Sequence, residues 1–312
     1  MTVAALGVVE LNLSDMASIG SNTTIEWTTG RTGRIVVLKN GHSGSTWLAK
    51  MLSSLPRFFF MKETMNNKTA KGRTIEEIRQ HLTVALSQPH GKIHRPSDFV
   101  RPPSDTLPLS AIGYSINPVI GAKQRQRGTA VNGETPVTDE SWHVLEGIED
   151  YILGLPEMYE NVSVVIIHRT NVVKQALSTS GSKIDAKQPG AIQLEPADLL
   201  VDTEEFFHRN KLLLELANRL RENTNLNVIQ FPYEELQQDV GGTLLRILDS
   251  ISVAMPQNTI DDISGTKKAS SEDLRVRLEN FVDIDNFFTS HAHPLFLKML
   301  RSTTSEVFPT EK

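Results

Sequence analysis

The sequence contains no cysteine. Disulfides, thiolate catalysis and Cys-ligated zinc are therefore excluded, and a reducing compartment fits. No apolar run reaches membrane-spanning length. The opening MTVAALGVVELNL has no basic n-region and is interrupted by Glu10, so it does not read as a signal peptide. The expected location is the cytoplasm, with no membrane partner. A basic field is missing as well. At a net charge of -5 the chain is a poor match for nucleic acid or a heavily anionic polymer, although a local basic pocket is compatible with it. What is present is a folded-protein composition, with 39% hydrophobic and 22% charged residues, enough for a substantial core.

Apolar patterning predicts alternating strands and helices. RIVVL (34–38) and VSVVIIH (162–168) read as buried strands, and FFFMKE (58–63), AIGYSI (111–116) and LNVIQF (226–231) as further strands. Helices are expected after residue 44 up to Pro56, over 74–87, near 138–153 with Thr138 as cap, and over VVKQALSTS. Further helices are expected over a long segment capped by Thr203, over GGTLLRILDSI, and over EDLRVRLENF. Proline-bearing loops are expected over 88–110 and 181–200. This alternation predicts an α/β fold, a three-layer sandwich around a parallel sheet. With no repeat and no long linker, a single domain is expected over 1–312, with a poorly specified lead-in over 1–33.

The segment Asn40-Gly41-His42-Ser43-Gly44-Ser45-Thr46-Trp47 joins the first strand to a helix. A glycine-rich turn at a helix N-terminus gathers backbone N–H groups and positive dipole potential at one point, which suits an oxyanion. Ser43, Ser45 and Thr46 add hydroxyl donors. The alternative is a plain capping turn. The turn lacks the Gly-Lys-Ser/Thr ending of a nucleoside-triphosphate loop, since Thr46 stands sixth from Gly41 and no Lys follows. The strand VVIIHR ends in His168-Arg169 rather than in an acidic metal ligand. No metal is expected; protein cations would neutralise the anion.

Four blocks together resemble the sulfotransferases that use 3′-phosphoadenosine 5′-phosphosulfate (PAPS), with the bacterial and carbohydrate-type branches nearer. GHSGSTWL resembles their 5′-phosphosulfate loop, and VVIIHRTNVVKQALS their strand ending in Arg followed by a Ser-bearing helix. VIQFPYEEL with GGTLLRILD is similar to the late YE-x-L strand–turn and its helix. KKASSEDLRVRLEN resembles the basic loop near their end. The blocks stand in the family's order over residues 34 to 281. The resemblance implies a P-loop-like sulfotransferase fold. It also implies that Gly41 through Trp47 hold the 5′-phosphate, with Trp47 near the adenine, and that Arg169, Ser178, Lys267 and Lys268 hold the 3′-phosphate; the alternatives are a core position for Trp47 and an internal salt bridge for Arg169. Two departures stand out. His42 occupies the place of a Lys or Arg that bridges the leaving phosphate and the sulfuryl group, with Lys39 or Lys62 as substitutes for that charge. Arg169 and Ser178 are nine residues apart, where the family more often has eight.

The implied reaction is transfer of a sulfuryl group from PAPS to a hydroxyl or amine of a small-molecule acceptor. It needs cations at the departing phosphate and a base at the acceptor, and no metal. Glu63, at the end of the second strand, is the expected base; His81, His90, His94 and Glu134 are rivals. Two other readings stay open. One is a small-molecule kinase using ATP-Mg²⁺, and the other a non-catalytic PAPS or nucleotide binder.

Overall fold

The computed structural model describes residues 32–41, 43–65, 70, 73–87, 109–121, 142–181, 192–223, 225–264 and 273–309; for residues 62, 63 and 179–181 it describes the backbone only. In chain order, β1 (Gly33–Lys39) turns into α1 (Ser45–Ser54) and β2 (Phe58–Met65). Next come α2 (Ile75–Ser87), β3 (Ala111–Ile116), β4 (Val119–Gly121) and β5 (Trp142–Val144). Then α3 (Ile148–Leu153) and α4 (Leu155–Met158) precede β6 (Val162–His168). α5 (Val172–Gly181) and α6 (Pro196–Arg221) lead to β7 (Asn227–Pro232). The remainder is helical: α7 (Tyr233–Gln238), α8 (Val240–Ser250), α9 (Gln257–Ser264), α10 (Leu274–Arg277), α11 (Phe281–His291) and α12 (Pro294–Arg301).

Five strands form one parallel sheet in the order β2-β3-β1-β6-β7; β4 and β5 make a separate antiparallel pair. The central strands are apolar on both faces because both faces are covered. Val36, Leu38, Ile112, Tyr114, Val164 and Ile166 face α2, α3 and the C-terminal half of α6. Ile35, Val37, Val165, Ile167 and Phe231 face α1, α8 and α9. A third cluster joins α5, the start of α6, α11, α12 and Phe308. The expected three-layer α/β sandwich is therefore the observed architecture. No helix of the described residues is long and apolar enough to cross a membrane.

Strand order decides where a crevice opens. From β1 the chain moves outward past β3 to β2, and from β6 it moves the other way to β7. Neighbouring strands whose connections diverge leave a gap at their C-terminal ends, the usual place for a ligand in such sheets.

Three expectations are corrected. Helix does not run over 138–153: Trp142–Val144 is a strand paired with β4, and α3 begins only after Gly147. The apolar residues here satisfy helical spacing, but Gly147 sits at φ +71, and a Cβ there would lie 2.4 Å from Ile75 Cγ2. Thr138 lies outside the described residues. Thr203 is not a cap. α6 starts at Pro196, whose fixed φ suits a first helical position, and the Thr203 hydroxyl donates to Leu199 O at 2.7 Å inside the helix. EDLRVRLENF is not one helix: Leu274–Arg277 forms α10, Leu278–Asn280 is non-helical, and Phe281 begins α11.

Candidate active site

The turn after β1 and the turn after β6 stand side by side, because the two strands pair in parallel with Lys39 opposite Ile167. Tyr233 links the two turns, with its ring beside Gly44 and Trp47 on one side and under the Arg169 guanidinium on the other. Gly44 sits at φ +82 as N-cap of α1 and offers no side-chain cap to the helix. The first N–H groups of a helix have no intrahelical partner, so the first turn of α1 keeps donors in hand. Trp47 and Leu48 are the first to bond back, both to Gly44 O. Ser43 Oγ is fully buried and has no hydrogen-bond partner among the described residues. A buried hydroxyl in that state costs about 1–3 kcal/mol unless something accepts from it or donates to it. Trp47 Nε1 is also buried without a partner, while the ring packs against the α1-side core and edge-on to Tyr233 at 6.1 Å.

Arg169 is 5% exposed. Its Nη1 approaches Ser178 Oγ at 3.5 Å, so the nine-residue spacing still brings the two together. The reason is local: Arg169 precedes α5, and Ser178 lies on that helix with its own proton given to Lys174 O at 2.9 Å. Arg169 Nε also lies 3.8 Å from Glu234 Oε1, and the guanidinium sits over the Tyr233 ring at 5.1 Å. Burial pulls the Arg169 pKa down, while Glu234 and Tyr233 oppose that shift. Two more cations belong to this neighbourhood. Lys174 is lowered to about 8 by burial first and Arg169 second. Arg277 is lowered by burial and by Arg169. Burial is the larger cause in both, and the Arg169 charge adds to it, which places the three cations within electrostatic reach of one another.

A buried polar network, hidden from sequence reasoning, locks the two turns together. Gln175 Nε2 donates to Gly41 O at 2.7 Å. Asn210 Nδ2 donates to Arg169 O at 2.8 Å and to Gln175 Oε1 at 3.1 Å, and Asn40 Nδ2 donates to Asn210 Oδ1 at 2.8 Å. From below, the Tyr233 ring fills the space where a Cβ on Gly44 would lie, 2.0 Å from Tyr233 Cδ2. The available signals were polar residues on buried stripes: Asn210 within FFHRNKLLLEL and Gln175 within VVKQALS.

The other expected site residues are placed less completely. Glu63 pairs through its backbone with Ser115, two strands from β1, and β2 runs on to Met65 rather than ending at Glu63. The side chains of Lys62 and Glu63 lie outside the description. Lys39 is buried at the end of β1. The His81 pKa is lowered by burial, then by Arg73. His42, His90, His94, Glu134, Lys267 and Lys268 lie outside the described residues. No group of three His, Asp or Glu that could hold a metal occurs among the described residues.

The sequence matches no protein-family model and no curated protein. Solved structures with a similar chain path include a mouse sulfotransferase complexed with PAP, at 13% identity and TM-score 0.38; it covers 75% of this chain, and this chain spans 63% of its length. The sulfotransferase domain of the Synechococcus PCC 7002 olefin synthase is 13% identical with TM-score 0.40, over 82% of this chain and 84% of that one. The sulfotransferase domain of the curacin biosynthetic pathway is 13% identical with TM-score 0.40, over 88% of each. At these values function has to be argued from the residues of this chain.

Proposed function

We propose that this chain, as one domain, is a sulfotransferase that uses PAPS and delivers the sulfuryl group to a hydroxyl or amine of a small-molecule acceptor. The observation that carries the reading is the linkage by one buried network of two features suited to anions, the turn before α1 and the Arg169–Ser178 pair. An adenine nucleotide with phosphates at both its 5′ and 3′ positions has anions to occupy both.

The donor set fits such a nucleotide. The Ser43 hydroxyl, without a partner among the described residues, and the first turn of α1 would hold one anion, with Ser45 and Thr46 as further donors. Arg169 and Ser178 would hold the second, as Arg suits phosphate through paired N–H donors. When bound, PAPS supplies an activated sulfuryl group on its 5′-phosphate. The chain's part is to hold that phosphate, to place cations beside it and to take a proton from the acceptor. His42 and Lys39 are the proposed cations and Glu63 the proposed base. Lys267 and Lys268 are proposed to complete the 3′ side.

The test is a thermal-shift panel followed by turnover. Adenosine 3′,5′-bisphosphate is expected to raise the unfolding midpoint, and ATP-Mg²⁺ to do so far less. Arg169→Ala is expected to abolish the bisphosphate shift. Transfer of labelled sulfate from PAPS to an acceptor panel then separates an enzyme from a binder. A larger shift with ATP-Mg²⁺ would replace this reading with that of a kinase.

A further inference from the structure

We propose that Glu234 is the positioning residue for the Arg169 end of the site, fixing the turn after β6 so that Arg169 and Ser178 meet a 3′-phosphate. The proposal rests on the nucleotide reading above. Glu234 is 2% exposed. Its Oε2 accepts from Thr170 N at 3.0 Å and its Oε1 from Asn171 N at 3.1 Å. Arg169 Nε is farther, 3.8 Å from Oε1. The carboxylate is thus spent first on two consecutive backbone N–H groups and only second on the guanidinium. Its neighbour Tyr233 packs against Gly44 in the other turn. Two consecutive residues, 233 and 234, brace the two halves of the site.

A buried carboxylate here has two readings with opposite consequences. It opposes the charge of Arg169 and raises Lys174. Were it only a counter-charge, neutralising it would leave a more positive pocket and tighter binding of any anion. As the holder of the turn, its loss strands two buried N–H groups and lets Arg169 leave its place. Binding of the 3′-phosphate then weakens, and the 5′ end is spared. The distances favour the second reading, since the two N–H bonds are short and the ion pair is long.

The experiment measures dissociation constants for adenosine 3′,5′-bisphosphate and for 5′-AMP by calorimetry. Wild type, Glu234→Gln and Glu234→Asp are compared, with unfolding midpoints recorded. Gln keeps the shape but offers one acceptor and one donor where two acceptors are needed. Asp keeps the charge, so it folds without disturbing charge balance, but shortens the reach. The preference for bisphosphate over 5′-AMP is expected to fall by about tenfold or more in each variant, with 5′-AMP affinity retained. A folded Gln variant that keeps or increases the preference overturns the proposal. If Gln does not fold, Asp decides in the same way. A wild type with no preference overturns the nucleotide reading and this inference with it; a preference that the variants keep overturns this inference alone.

Discussion

At the scale of single residues, the most informative atom is Ser43 Oγ, buried and unpartnered. A protein that carried it for packing alone would gain by losing it. Ser43→Ala is expected to leave the ligand-free fold as stable as before or about 1 kcal/mol more stable, since an unpaired buried hydroxyl is removed. The same change is expected to weaken 5′-AMP binding several-fold. Urea unfolding and calorimetry on one sample read both effects. His168 gives a second residue-scale expectation. Burial, aided by Arg221, lowers its pKa to about 4. The unfolded chain takes up this proton near pH 6.5, and the folded chain only near 4. The stability is therefore full above pH 6.5 and is lost as pH falls from 6.5 towards 4, by about 3 kcal/mol at most. Equilibrium unfolding across that window, repeated on His168→Leu, is expected to show the steeper loss in wild type.

At the scale of elements, the turn before α1 is held by shape. Gly44 combines φ +82 with the Tyr233 ring where its Cβ would stand. Gly44→Ala is expected to cost about 2 kcal/mol or more through strain and overlap, and to remove bisphosphate binding as the turn reopens. A urea titration with and without ligand measures both. The five sheet strands were readable because each carries a short apolar, β-branched or aromatic run; β1, β3 and β6 are covered on both faces, while β7 at the edge is only partly buried. The glycine turn was readable from its composition, and Arg169 from the oddity of a guanidinium ending such a run. β5 was not, because three residues of a hairpin strand have no period to show, and the Trp142–Ile152 spacing mimics a helix. The start of α6 was missed for a related reason: Thr203 before two glutamates imitates a cap, whereas Pro196 sets the start. The Asn40–Gln175–Asn210 network left only single polar letters in apolar stripes, because contacts 35 to 170 residues apart carry no local signal.

At the scale of the whole molecule, the C-terminal segment closes over the turn after β6. Asn171 Nδ2 donates to Met299 O at 2.9 Å, Lys174 Nζ to Thr304 O at 2.8 Å, and Phe308 N to Thr170 Oγ1 at 3.2 Å. Phe308 is itself buried in the third core cluster. Phe308→Ala is expected to destabilise the fold by about 3–5 kcal/mol, the usual cost of emptying a buried aromatic site. It is also expected to weaken bisphosphate binding more than 5′-AMP binding, because the slack falls on the Arg169 side. Denaturant melts and the two dissociation constants check this.

The bond between Thr170 and Phe308 spans 138 residues. During synthesis on the ribosome the strand that delivers Arg169 emerges long before its far brace exists. A nascent or prematurely terminated chain therefore holds the turn after β6 without this brace, until residue 308 has cleared the exit tunnel.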